Sequence, residues 1–117
     1  MTKATCVPDG NTRAIGTVDE NGVPKNGVRV RVSYADGGAP AAADFISGHD
    51  PINRDRLDPA HPGYYQVGIM EGAAFDGNWW VFLVDDKGEE ISEGRWFKTV
   101  NVTTSDSCNV GVTDFGK

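Results

Sequence analysis

The chain has 117 residues, a formal net charge of −6, 15 glycines, 6 prolines and 2 cysteines. That length excludes a TIM barrel or a full dinucleotide-binding enzyme and predicts one domain over 1–117 with a single modest core. The acidic balance argues against a nucleic-acid partner, which needs a concentrated positive surface, and against anionic membrane surfaces.

Leucine is confined to Leu57 and Leu83, and Asp outnumbers Glu 12 to 5. Asp favours turns where Glu favours helices, so the composition predicts an all-β chain rich in turns. No apolar run is long enough for a transmembrane helix, so membrane insertion is not expected. No apolar signal-peptide segment follows Met1. The reading is a piece of a longer secreted chain, with Met1 as an added start.

Cys6 opens the chain and Cys108 lies near its end. Their spacing excludes a CxxC redox motif and short-range metal pairs. It favours a disulfide clamping the first segment to the last strand, and with it an extracellular or cell-surface location. The alternative is two unrelated buried thiols.

Residues 12–18 predict a first strand, followed by the Asn21-Gly22 turn signal. Residues 28–34 alternate, with Val28, Val30, Val32 and Tyr34 on one face and Arg29, Arg31 and Ser33 on the other; this is a half-buried antiparallel strand. Asp36-Gly37-Gly38 is a turn, and 41–46 is a short irregular edge strand. Residues 47–63 hold three prolines, three aspartates and both histidines, and predict a long loop. Tyr64 to Met70 is a strand with Tyr65, Val67 and Ile69 on one face. Residues 79–84 are the most apolar stretch, and Asp85-Asp86-Lys87-Gly88 is a hairpin turn. Strands follow at 91–100 and 108–115, the last with Cys108, Val110 and Val112 inward, Asn109 and Thr113 outward, and Phe115 of outward parity. Short strands at regular spacing predict an Ig-like or prealbumin-like antiparallel β-sandwich of about seven strands. The expected core is Val28, Val30, Val32, Val67, Ile69, Phe82, Val110 and Val112.

Two blocks carry a further pattern: Gly16-Thr17-Val18-Asp19, Gly22, Pro24, Gly27-Val28, Val30 and Val32, then Pro62-Gly63-Tyr64-Tyr65-Gln66-Val67. They resemble the carboxypeptidase regulatory-like domains, with transthyretin-like and CnaB-type sandwiches as relatives. The resemblance implies a seven-stranded sandwich acting as a non-catalytic module of a larger secreted or surface protein, and it supplies no catalytic residues. CnaB-type domains close a Lys-to-Asn isopeptide bond, but none of Lys3, Lys25, Lys87, Lys98 and Lys117 has a convincing apolar first-strand context.

Strand 79–84 is apolar on both parities: Trp79, Val81 and Leu83 on one, Trp80, Phe82 and Val84 on the other. A sandwich sheet buries one face only, so something must cover the second. The options are the long 35–63 segment, a partner domain, a second copy of the chain, or a flat ligand such as a sugar ring. Trp79, Trp80, Trp96, Tyr64 and Tyr65 are therefore candidate ligand-binding residues, with a polysaccharide or protein partner or self-association as the outcome. One of the tryptophans is equally a core residue.

His49, Asp50, Asp55, Asp58 and His61 are the candidate metal ligands, with Ca²⁺ ahead of zinc because oxygen donors dominate. Their spacing matches no closed site. Asp before Pro, at 50 and 58, is also plain turn chemistry, and Arg54 and Arg56 would neutralise such a site. No serine sits in Gly-x-Ser-x-Gly, and Asp85-Asp86 and Glu89-Glu90 belong to a turn signature, so no catalytic residue is assigned. The Asn101-Val102-Thr103 glycosylation triplet carries little weight alone.

The reading is a non-catalytic accessory module, structural or binding, of a larger secreted or cell-surface bacterial protein. The alternatives are a carbohydrate-binding module using Trp79, Trp96 and Tyr64, and a subunit that self-assembles or docks a partner through the apolar face of 79–84.

Overall fold

Period-2 alternation is the signal that the structure honours most directly. The computed structural model describes residues 2–116; Met1 and the isopeptide candidate Lys117 lie outside the described residues. In β3 (Thr12–Glu20), buried Thr12, Ala14, Gly16 and Val18 alternate with half-buried neighbours. In β7 (Tyr64–Met70), Tyr65 and Val67 are buried and Ile69 packs against the core from its rim. These two strands pair antiparallel, and β3 is the hub of that sheet: it also pairs the short β4 (Val23–Pro24) and, on its other side, the end of the chain. The opposite sheet places β5 (Arg29–Ser33) between the short β6 (Phe45–Ile46) and β8 (Gly77–Val84), with β9 (Arg95–Thr99) beyond β8. The core between the layers includes Val30 and Val32 of β5, Trp79, Val81 and Leu83 of β8, and Phe97 of β9. Each such side chain is worth about 1.5–3 kcal/mol on full burial. Among the described residues the chain forms strands and no helix, so it is an all-β, sandwich-like fold.

The first segment serves both sheets. β1 (Thr2–Lys3) runs parallel to β9, and β2 (Thr5–Val7) runs antiparallel to β10 (Val110–Val112) in the other sheet. The crossing point is Ala4, which is buried and donates its N–H to Trp96 O at 2.8 Å. Cys6 then bonds to Cys108, with their Cα atoms 4.9 Å apart. The bridge holds the crossing segment to the approach of the last strand.

The last strand differs from expectation in two ways. It lies parallel to β3, first as β10 and then, in the same register, as β11 (Phe115–Gly116). The sheets are therefore mixed rather than wholly antiparallel. Its parity is also inverted: Gly111 is buried against the Phe97 ring, Asn109 is fully buried, and Phe115 is a core residue. Val110 and Val112 point away from that core. The physical reason is space. Phe97 reaches across the sandwich to the backbone of β10, and a Cβ on residue 111 would stand 2.6 Å from its ring.

Gly16, Gly63 and Tyr65, all in the pattern quoted above, meet at one point of the fold. A Cβ at Gly16 would lie 1.7 Å from Thr113 O, and the Tyr65 hydroxyl donates to that same oxygen at 2.7 Å. Val18 N–H donates to Gly63 O at 2.8 Å, and Gly63 has φ 74° with Val18 O close to where a side chain would begin. The loose sequence pattern thus records where β3, β7 and the last strand approach too closely for side chains.

Candidate functional site

The doubly apolar strand β8 sets the question of what covers its second face, and the answer is largely the chain itself. Phe82 and Val84 face away from the core yet are 1% and 2% exposed. Their cross-strand neighbours on β5 are Arg31 and Arg29. Arg31 grips Asp44 through both arms, Nε to Oδ1 at 3.0 Å and Nη2 to Oδ2 at 2.8 Å, and its Nη1 reaches Gly88 O at 3.4 Å. Arg29 Nη1 stands 3.7 Å from the same carboxylate. Residues 42–44, between the Ser33–Pro40 bridge and β6, thus fold Asp44 over the outer face. Hydrogen bonding to Asp44 raises the pKa of Arg31, so the cation is held.

The other half of that face is crossed by 35–38. Here Ala35 N–H donates to Ser33 Oγ at 3.2 Å and Gly38 N–H to Ala35 O at 2.9 Å, a tight turn laid over buried Ser33. Asp36 and the Trp80 ring both crowd Gly94: a Cβ there would stand 2.2 Å from Asp36 Oδ1 and 3.0 Å from Trp80 Cε3. Desolvation first, then hydrogen bonding and charge from Asp36, push Glu90 up to about 7. Trp80 lies half-buried beneath, directly opposite half-buried Trp96 on β9.

The five aromatic candidates therefore separate. Trp79 is 1% and Tyr65 0% exposed, so neither can meet a ligand: both are core residues. Trp79 Nε1 donates to Thr99 Oγ1 at 2.8 Å, and Thr99 Oγ1 donates to Phe75 O at 2.6 Å, which satisfies the indole without solvent. Burial raises the Tyr65 phenol well above its usual value. Trp80, Trp96 and Tyr64 are half-buried on the outer faces.

The exposed aromatics are two that the sequence reading passed over. Tyr34, expected inward with Val30 and Val32, is 69% exposed because β5 ends at Ser33 and the chain turns there. Phe75 is 43% exposed. Their ring centroids lie 5.2 and 6.4 Å from that of Trp79, so both pack on the buried indole. The signal for Phe75 was its place in a Gly/Ala/Asp-rich turn, where an aromatic has no core to enter.

The long loop was placed correctly, but its carboxylates and imidazoles act locally. Asp50 Oδ1 accepts the N–H groups of Ile52 and Asn53 at 2.8 and 3.2 Å, and these bonds lower its pKa. Asp58 Oδ1 accepts Ala60 N–H at 3.1 Å, and its Oδ2 lies 2.9 Å from His61 Nδ1. His49 Nδ1 bonds Arg54 O. Asp55 is exposed. Among the described residues, no three His, Cys, Asp or Glu side chains gather as a metal set. Lys25, Lys87 and Lys98 are exposed, and Lys25 pairs with Glu20 at 2.6 Å.

One buried polar residue organises the Cys108 end. Asn109 Oδ1 accepts Asp9 N–H at 3.1 Å and lies 2.6 Å from Ser107 Oγ; its Nδ2 donates to Val100 O and Val102 O at 3.2 and 3.0 Å. Its inward parity was not read from the sequence. No family model, no curated protein and no solved structure matches the chain.

Proposed function

We propose that the chain is a non-catalytic accessory module of a larger secreted or cell-surface protein, in the manner of the carboxypeptidase regulatory-like sandwiches that its Gly16 and Tyr65 blocks resemble. The observation that carries this reading is the Cys6–Cys108 bridge, which ties the sheet-crossing first segment to the last strand. Bridges of this kind persist in oxidising compartments. The test is to produce the same chain with and without an export signal in one host. The exported form should resist protease at a temperature at which the cytosolic, reduced form is digested. Equal resistance would count against the reading.

A second reading, carbohydrate binding, is favoured by one observation: Tyr34 and Phe75 are exposed rings packed against the buried Trp79. Flat apolar rings with a polar tip suit a pyranose face. Retention on a polysaccharide gel that is lost in Tyr34→Ala and Phe75→Ala supports it; retention unchanged in both variants refutes it. Of the apolar face of 79–84, Phe82 and Val84 are covered within one chain, so assembly through it would rest on half-buried Trp80.

A further inference from the structure

Two Asn-Gly steps lie close together in the chain, Asn21-Gly22 and Asn26-Gly27. Asparagine before glycine is open to attack on its own carboxamide, because glycine has no Cβ to shield the following backbone nitrogen. Exposure does not separate the two steps, since all four residues are exposed. Their hydrogen bonds do. Asn26 Oδ1 accepts Gly63 N–H at 2.7 Å, and the carboxamide is seated on Gly48 so closely that a Cβ there would overlap it. Gly27 N–H donates to the backbone oxygen of buried Ser47 at 2.9 Å. Both reacting groups of that step are therefore held. Asn21 and Gly22 form the two-residue turn between β3 and β4, with φ 55° and 80°. Among the described residues, no hydrogen bond holds the Asn21 carboxamide or the Gly22 N–H.

We propose that Asn21 is a self-modification site: the folded chain converts it with water to aspartate and isoaspartate, while Asn26 is spared. The Gly22 backbone nitrogen gives its proton to hydroxide and attacks Asn21 Cγ. The bond from Cγ to the carboxamide nitrogen breaks, and that nitrogen takes a proton from water and leaves as ammonia. The cyclic imide so formed takes up a water. Opening between Cγ and the Gly22 nitrogen gives aspartate. Opening between the Asn21 carbonyl carbon and the same nitrogen gives isoaspartate, whose chain runs through Cγ. The sum is asparagine plus water to aspartate or isoaspartate plus ammonia, and nothing is oxidised or reduced.

Attack requires Asn21 to leave its left-handed conformation. The pair that closes the turn directly is Glu20 with Val23, and β4 ends one residue later. An exposed hairpin tip of this kind opens locally without unfolding the sandwich. A Cβ on Gly22 would find open space, so nothing packs over its backbone. Freeing Asn26 instead breaks the bonds to Gly63 and Ser47, and the Ser47 hydroxyl is itself tied to Val28 N–H and Lys25 O. The two products mark the hairpin differently. Aspartate adds a negative charge next to Glu20, whose carboxylate lies 2.6 Å from Lys25 Nζ. Isoaspartate adds a backbone carbon to the turn and shifts the Glu20–Val23 register.

The test is incubation of the whole folded chain at mildly alkaline pH, followed by a brief tryptic digest. Cleavage after Arg13, Lys25 and Arg29 puts the two Asn-Gly steps in separate peptides. Mass spectrometry reads the exchange of NH2 for OH in each peptide, and isoaspartyl-specific methylation reads the isoaspartate. A hydrogen bond that must open first slows a step by about fivefold, so with two such bonds at Asn26 the Asn21 step should be about 20-fold faster. In denaturant, with the Cys6–Cys108 bridge reduced, both steps are the same free dipeptide and their rates should converge. An intact Asn21 in the folded chain, or equal rates at Asn21 and Asn26 there, overturns the proposal. A preference for Asn21 that persists unchanged in denaturant belongs to the sequence rather than to the fold, and overturns it as well.

Discussion

Adding one methyl group at Gly111 tests the inverted parity of the last strand. A Cβ there would stand 2.6, 2.6 and 2.7 Å from three atoms of the Phe97 ring. Carbon contacts are normally about 3.5–4.0 Å, so the ring must retreat by about 1 Å. Phe97 is 0% exposed and enclosed by both sheets, so it has nowhere open to go. Overpacking of this kind costs about 1–3 kcal/mol. The loss of unfolded-state freedom on replacing Gly with Ala offsets about 0.4–1 kcal/mol of it. The net expectation for Gly111→Ala is a loss of about 1–2 kcal/mol. For 117 residues, at about 2.1 cal/mol/K of unfolding entropy per residue, this is roughly a 4–8 °C fall in Tm. Scanning calorimetry reads it directly. Phe97→Leu should relieve part of the clash, so the double variant should be more stable than the sum of the single changes predicts. A Tm for Gly111→Ala equal to or above that of the native sequence would refute the reasoning and restore an orientation with Val110 and Val112 inward.

Gly16→Ala puts its methyl 1.7 Å from the Thr113 backbone oxygen and should cost more than about 3 kcal/mol or prevent folding, whereas Gly10→Ala, with open space around it, should leave the urea midpoint unchanged. Thr99→Val removes the acceptor of the Trp79 indole N–H and should cost about 1–3 kcal/mol with a change in the near-UV circular dichroism of tryptophan. Arg31→Lys loses the two-armed grip on Asp44, whose side chain is 11% exposed, and should be destabilised by about 1–3 kcal/mol with little dependence on salt. Tyr34→Ala should stay within about 0.5–1 kcal/mol of the native sequence in stability, since the ring is largely exposed, so any loss of polysaccharide retention is a surface effect.

The strands legible in the sequence are those marked by a clean side-chain alternation or an unbroken apolar run. The Val28–Val32 and Tyr65–Ile69 alternations and the doubly apolar 79–84 run needed only side-chain period to be read. The last strand was misread because Val110-Gly111-Val112 presents two valines around a glycine, and period alone cannot tell that the glycine is there to admit Phe97. The cover of Phe82 was legible only as one option among several, the 35–63 segment, and the bonds that hold it there were not. Ala35 to Asp44 is small and polar with no period, and its hold on the sheet rests on individual bonds: Ala35 N–H to Ser33 Oγ, Ala41 N–H to Val32 O, and Asp44 to Arg31. Tyr34 continues the valine alternation, and only the chain reversal after Ser33 takes it out of the core. The candidate metal loop was half legible: Asp50-Pro51 and Asp58-Pro59 signal turns, and both carboxylates do accept the backbone N–H groups that follow them.

The account rests most heavily on the covalent link between Cys6 and Cys108, which joins residues 102 positions apart. A loop of that size limits the unfolded chain by about 4–5 kcal/mol in the entropy model. The direct measurement is the intact mass of the exported, folded protein after denaturation and alkylation, with and without prior reduction. The account predicts no alkylated thiol before reduction, then two, with an underlying gain of about 2 Da from the two-electron reduction of the bridge. Two alkylatable thiols in the unreduced protein would contradict it, and the assignment to a secreted or cell-surface module would fall with the bridge.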